Sequence, residues 1–387
     1  MEHRRMGRDP GGFREEMNMK IIADNTIPFL KGVIESIGEV TYLSSGQFTA
    51  EAVRQADVLI VRSIDKCSRA VLEGSRVRLI TTATIGFDHI DTAYCAEAGI
   101  TWKNAPGSNA RSVAEYVLAS LILLSLQTGE PLADKTLGIV GVGHVGRWVE
   151  QLCTAYGMRV LRNDPPRAKE EGPEGFVSLE TIAQEADIIT LHTPLTREGQ
   201  FPTAHLIHPG LVDSFARKPW LINTCRGAVT DTDALLQGRA TGKIGALILD
   251  CWEGEPRISL PLLAQTAVAT PHIAGFSADG KANATRMCLE EISRFFRITI
   301  NGLDKVAPPA PLQPVIDLNA YAENRVEQAI LSVFDPRPVD HALRQAPDQF
   351  ESFRANYHHP REFKAYTVTH ATATEAGVLK RLGFRVF

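Results

Sequence analysis

From Lys20 to Asn104 the chain alternates short β-branched runs with segments of helical spacing. "KIIAD", "EVTYL", "DVLIVRS", "RLITTAT" and "ITWKN" predict strands, and residues 28–36, "AEAVRQA", "RAVLEG" and "DTAYCAEAG" predict the helices between them. Apolar runs this short, separated by helices, predict strands of a parallel sheet. After the turn "APGSN", Ser108 or Asn109 is placed to cap a long apolar helix with "VAEYVLASLILLSL" (113–126) at its centre. A second α/β series opens at "KTLGIVGVGHVG" and continues through "MRVLRND", "DIITLHTPL", "PWLINTCRG", "GALILDCWEGEP" and "TAVATPHIAGF". "APPAPLQP" (307–314) predicts a stiff linker. Beyond it, "NRVEQAILSVF" has amphipathic helical spacing and "FKAYTVTH" alternates like a strand, so a small α+β unit closes the chain.

Composition narrows the classes. The chain has 387 residues, enough for two or three domains. Its formal net charge of −4 gives no case for nucleic acid or an acidic membrane surface. The six cysteines, at 67, 95, 153, 225, 251 and 288, include no C-x-x-C pair. That gives no zinc or disulfide pattern and predicts a reducing cytosol, with no metal site. The apolar stretch 113–126 contains Glu115 and is too short to span a bilayer, which predicts a core helix. Residues 1–18 lack a continuous apolar segment and combine charge with Gly and Pro. They predict a disordered tail rather than a signal peptide, with Met17 and Met19 as alternative starts.

The strongest motif is "GIVGVGHVG", with Gly141, Gly143 and Gly146 in G-x-G-x-x-G spacing around His144 and Val145. A strand precedes it and a helix follows. Gly141 then permits a tight turn, Gly143 lets backbone approach a pyrophosphate, and Gly146 lets helix and strand pack closely. Asp164 ends the next strand, where an acid accepts from ribose hydroxyls and repels a 2′-phosphate; this favours NAD over NADP. Arg167 is the nearby cation that argues the other way.

Later strands end in polar residues: His192 and Thr193, Arg226, Asp250 with Glu255, and His272. In an open parallel sheet those ends form the ligand crevice. The types fit oxidation of a 2-hydroxy acid. His272 takes the hydroxyl proton, Glu255 orients His272 and favours its protonated form, and Arg226 holds the carboxylate and polarises the C2 oxygen. Gly227 is expected to let the chain turn sharply behind Arg226. Singly, these residues also suit an ion pair, a loop charge and a core histidine; in one crevice they suit catalysis.

The stretches "VGVGHVG", "HTPL", "INTCRGAVTDTDAL", "LDCWEGEP" and "TPHIAG" make residues 19–300 resemble the D-2-hydroxyacid dehydrogenases. The resemblance implies an α/β fold in which a Rossmann-type NAD-binding domain (112–272) is inserted in a flavodoxin-like substrate domain (19–111 and 273–303). It implies Arg226, Glu255 and His272 as catalytic residues, Ser63 and Thr84 as substrate contacts, and cofactor contacts at Asp164, Thr193, Thr224, Cys225, Arg226, Asp250 and Gly275. "TATIGFDHID", "NAPGSNARSVAEYV", "NDPPR" and "HIAGF" are similar to the branch that oxidises 4-phospho-D-erythronate in vitamin B6 synthesis. "FESFRANYHHPREF" and "LKRLGF" resemble that branch's C-terminal dimerisation domain, here 304–387. The expected protein is therefore a cytoplasmic, homodimeric, NAD-dependent enzyme acting on a small phosphorylated hydroxy acid. Phe276 departs from the tyrosine usual at that substrate-contact position, and Ile85 and Phe87 replace smaller residues. Arg62, Arg354 and Arg361 are candidates for the phosphate. A phosphoglycerate or glyoxylate dehydrogenase and a non-catalytic NADH-sensing scaffold remain open alternatives.

Overall fold

The computed structural model describes residues 19–387, so the predicted tail, 1–18, lies outside the described residues. The described residues divide into two compact units: 19–105 with 284–307, and 106–283 with 308–387.

In the first unit, β1 (Met19–Asp24), β2 (Gly38–Leu43), β3 (Val58–Val61), β4 (Leu79–Thr82) and β5 (Thr101–Lys103) form a parallel sheet in the order β2-β1-β3-β4-β5. This is the flavodoxin-like order. The central strands β3 and β4 are buried throughout; β3 is an unbroken apolar run, and β4 ends in the buried threonines Thr81 and Thr82. Their side chains feed two clusters, one holding Ile21, Val58, Ile60 and Leu79, the other Leu59, Val61 and Ile80. The predicted helix at 28–36 is corrected to a single 3-10 turn, Ile34–Ser36. Phe29 and Gly32 adopt left-handed φ values of 61° and 88°, which interrupts an α-helix.

In the second unit, β6 (Thr136–Val140), β7 (Arg159–Asn163), β8 (Ile188–Leu191), β9 (Trp220–Asn223), β10 (Ala246–Leu249) and β11 (Val268–Ala269) are parallel and ordered β11-β10-β9-β8-β6-β7. The strand order reverses between β6 and β8, so ligand space opens at their carboxyl ends. The helix Ala110–Thr128 packs against the sheet. By length and composition it could cross a membrane, but it is buried without a break from Ser112 to Leu124. Asn109 is its N-cap residue but makes no side-chain capping bond.

Residues from 308 onward pack into this same unit. They supply β12 (Val315–Asp317), β13 (Thr367–Thr369) and β14 (Arg385–Val386), a small parallel sheet, and the helices Arg325–Val333, Arg337–Gln345 and Ala373–Leu382. Phe334, Phe363, Leu379, Leu382 and Phe384 join one core cluster with Tyr116, Val117 and Leu121; Leu343 and Phe350 join another. Each such buried side chain contributes about 1.5–3 kcal/mol, which binds the segment firmly to the unit. Polar contacts fix its path. Glu115 accepts from Arg111 at 2.7 Å and from the Phe363 N–H at 2.9 Å, and Arg361 donates to Asp279 at 2.8 and 3.2 Å. Arg361 is thereby corrected from a phosphate candidate to an anchor.

Candidate active site

The three motif glycines differ in what surrounds them. Gly141 has φ +90°, and a Cβ there would meet the His192 carbonyl oxygen at 2.7 Å. A Cβ on Gly146 would lie 2.1 Å from the Gly141 carbonyl oxygen, so the helix His144–Ala155 can approach β6 only with glycine at this position. Gly143 has open space where its Cβ would stand, and it begins that helix. The backbone there is accessible to an anion, and the helix start directs its free N–H groups outward.

Beside this loop lies a cavity of about 900 Å³ lined by Gly141, Gly143, Asp164, His192, Thr193 and Pro194, among others. Its position matches the strand-order reversal. Asp164 accepts from the Val142 N–H at 2.8 Å and caps the helix Pro165–Glu171 through the Arg167 N–H at 3.1 Å. Arg167 is held by Glu171 at 2.7 Å and by the Val142 carbonyl at 2.6 Å, so its guanidinium is committed within the protein. His192 is half-buried at the cavity wall, and desolvation pushes its imidazole down to about 3, which favours the neutral ring; it lies 2.9 Å from the Thr190 hydroxyl and 3.4 Å from that of Thr224.

Glu255 and His272 stand beyond the ends of β10 and β11. The Glu255 carboxylate accepts from His272 Nδ1 at 2.5 Å and from the Trp252 N–H at 3.1 Å. Burial pushes Glu255 up, but the His272 bond and charge, the Trp252 N–H and the Arg354 charge outweigh it, and the carboxyl ends below its ordinary range. His272 itself has φ +56°, a left-handed conformation unusual for a residue with a side chain and typical of functional positions. Asp250 holds it there. The Asp250 carbonyl accepts from the His272 N–H at 2.8 Å, and the carboxylate accepts from Thr270, Ile273 and Ala274 at 2.7, 2.8 and 3.0 Å. Burial raises the Asp250 pKa against those bonds.

Arg226 ends β9 exposed and, among the described residues, forms no ion pair; one N–H donates to the Cys225 carbonyl at 2.7 Å. The role expected of Gly227 is corrected. It has no left-handed φ; instead, a Cβ there would lie 2.0 Å from the Trp252 backbone, so glycine lets the arginine loop close on the glutamate loop. Gly275 similarly lets its turn approach Asn109, 2.1 Å from where a Cβ would stand. Cys225 is buried beside Thr224, and burial raises its thiol and that of Cys251, so neither is a ready thiolate.

In the first unit, Ser63 is exposed just after β3. The Thr84 hydroxyl serves its own loop, donating to the Gly86 carbonyl at 2.8 Å, and Arg62 donates to the Thr26 hydroxyl at 2.7 Å. Ile85 and Phe87 are exposed, with Phe87 4.7 Å from Trp102. Sequence reasoning missed the company around Phe276: His359 stacks on its ring at 5.7 Å, and the Lys281 ammonium lies 5.6 Å from its centroid. No spacing rule connects these positions.

A dinucleotide cradle at the switch point, with a carboxylate-supported imidazole a few strand ends away, defines an NAD-dependent dehydrogenase of the 2-hydroxyacid type. Residues 123–274 match the model of the D-isomer specific 2-hydroxyacid dehydrogenase NAD binding domain, and residues 307–383 match a domain of unknown function, DUF3410. An erythronate-4-phosphate dehydrogenase of Porphyromonas gingivalis is 50% identical over 367 residues, 95% of this chain and all of that one. One from Bacteroides thetaiotaomicron is 47% identical, covering 90% of this chain and 99% of its own. The solved D-lactate dehydrogenase of Aquifex aeolicus, complexed with NAD and lactic acid, is 26% identical with a TM-score of 0.57, covering 75% of this chain and 100% of its own. The chain belongs to the erythronate-4-phosphate dehydrogenase family and is an NAD-dependent oxidoreductase.

Proposed function

We propose that this protein oxidises 4-phospho-D-erythronate to (R)-3-hydroxy-2-oxo-4-phosphooxybutanoate in pyridoxal phosphate synthesis, as a cytoplasmic homodimer. The observation that carries the reading is the 2.5 Å His272–Glu255 pair, with Arg226 following the adjacent strand β9 and, among the described residues, in no ion pair. The substrate assignment draws on the full-length relatives, and a homodimer formed through residues 304–387 draws on the resemblance of that segment.

The residues divide the work as follows. Gly141, Gly143, His144, Val145 and Gly146 would hold the cofactor's phosphates and Asp164 its ribose, while Thr193, Thr224, Cys225, Arg226 and Gly275 would complete its contacts. Asp250 acts through the turn it holds, because its oxygens are taken up by Thr270, Ile273 and Ala274. When bound, NAD supplies the acceptor for the hydride that leaves C2. With Nδ1–H donated to Glu255, His272 keeps Nε2 for the proton of the C2 hydroxyl. Arg226 presents a planar fork to the carboxylate and draws charge onto the C2 oxygen. Ser63 and Thr84 are the further substrate contacts that the resemblance implies. The test is NADH formation from 4-phosphoerythronate beside 3-phosphoglycerate and glycerate, with and without an added 2-oxo acid, together with light scattering for the dimer. Turnover confined to the other acids would overturn the substrate.

A further inference from the structure

Phe276 lies four residues beyond His272, on the turn closed by its N–H to the Ile273 carbonyl at 2.8 Å. Two segments converge on its ring, residues 354–359 and the helix that carries Lys281. His359 lies nearly parallel to it, 9° between planes, with Tyr357 6.2 Å behind. The Arg354 guanidinium stands 5.8 Å from the ring centroid and the Lys281 ammonium 5.6 Å from it. Arg354 also lowers the Glu255 carboxyl, which puts its charge within reach of the acid–base pair.

The charge of Arg354 is poorly compensated by the protein. Its ion-pair partner is Glu351, at 3.7 Å and 59% exposed, a geometry of little energetic weight. Its Nε is buried and, among the described residues, has no hydrogen-bond acceptor. Two cations gathered on one aromatic ring beside a catalytic pair suit an anion of more than one charge. The monoanionic carboxylate of a 2-hydroxy acid already has Arg226. What remains is the far end of the substrate.

We infer that Arg354 and Lys281, braced by Phe276 and His359, receive the phosphate of the substrate and set the enzyme's preference for a phosphorylated acid. The inference rests on the 4-phosphoerythronate reading and adds to it the groups that select the phosphate. The C-terminal segment thereby supplies a binding residue to the site of its own chain. Phe276 serves as a platform for cations, a role that needs no phenolic hydroxyl.

The test compares kcat/KM on 4-phosphoerythronate and on unphosphorylated erythronate for wild type, Arg354→Gln, Arg354→Lys, Lys281→Gln and Arg62→Gln, with NAD affinity and melting temperature as folding controls. Arg354→Gln is expected to lower kcat/KM on the phosphorylated acid by about 10- to 100-fold, chiefly through KM, the loss typical of a charged hydrogen bond. Its loss on erythronate should be several times smaller. Lys281→Gln should act in the same direction, and Arg354→Lys should recover part of the preference. Equal losses on both substrates would mean that Arg354 acts only on Glu255 and His272, and would overturn the assignment. So would a preference abolished by Arg62→Gln alone. A wild type indifferent to the phosphate would instead overturn the substrate reading, a result seen before any variant is compared.

Discussion

Replacing Glu255 by Gln preserves its size and an acceptor for the Trp252 N–H but removes the charge facing His272. In the oxidation direction the imidazole becomes a cation 2.5 Å from that carboxylate. A charge-assisted hydrogen bond is worth about 1.5–3 kcal/mol, and 1.36 kcal/mol is a factor of ten in rate. The two side chains are 23% and 27% exposed, so solvent screening places the expected loss toward the lower end, about 10- to 50-fold in kcat/KM. Initial rates of NADH formation measure it, with NAD affinity as the control for an intact cofactor site. The stronger check is a double-mutant cycle. His272→Asn alone should cost about 10²–10⁴-fold. Because Glu255 acts through His272, adding Glu255→Gln to that variant should change the rate by less than about twofold. Additive losses, or a single Glu255→Gln variant within threefold of wild type, would refute the assigned roles.

Asp164→Ser retains a helix cap but loses the acid, so the preference for NAD over NADP should fall about tenfold or more in kcat/KM; a wild type that already uses both cofactors equally would contradict the reading of this strand end. Gly146→Ala forces a Cβ against the Gly141 carbonyl and should destabilise by about 1–3 kcal/mol in thermal melts while weakening NAD binding by titration. Glu115 is pushed up by burial and then by the nearby Glu362, so its folded pKa exceeds its unfolded one. Its stabilising protonation is complete below the ordinary carboxylate range and is lost as pH rises toward the folded value. Melting temperature should therefore fall with rising pH across that window, and Glu115→Gln should flatten the dependence; an unchanged slope would contradict it.

Much of this was legible because it depends on local patterning. Short, mostly apolar runs gave buried parallel strands, since a strand covered on both faces favours apolar side chains, with Thr81, Thr82, Thr190 and Asn223 as the buried polar members. The motif glycines were legible because the demands at Gly143 and Gly146, open space and crowding against the Gly141 carbonyl, arise within one strand–turn–helix unit; the His192 carbonyl that crowds Gly141 comes from the end of β8. The placement of Arg226, Glu255 and His272 beyond the ends of β9, β10 and β11 followed from parallel-sheet topology. Other features depended on partners distant in the chain. Arg354 and Arg361 are equivalent in composition, but Asp279, 82 residues away, claims Arg361, while Arg354 stands over Phe276. Gly227 looked like a turn glycine until the Trp252 backbone proved to be what it accommodates. The helix expected at 28–36 failed locally, where Phe29 and Gly32 turn left-handed.

The most direct test of the central claim is the specificity of wild-type protein purified with NAD. NADH absorbance is followed with 4-phosphoerythronate, erythronate, 3-phosphoglycerate and glycerate, each with and without a 2-oxo acid, beside His272→Asn as the blank. The account predicts that 4-phosphoerythronate has the highest kcat/KM and that His272→Asn abolishes nearly all of the signal while still binding NAD. Equal turnover of the four acids, or a signal that survives in His272→Asn, would contradict it.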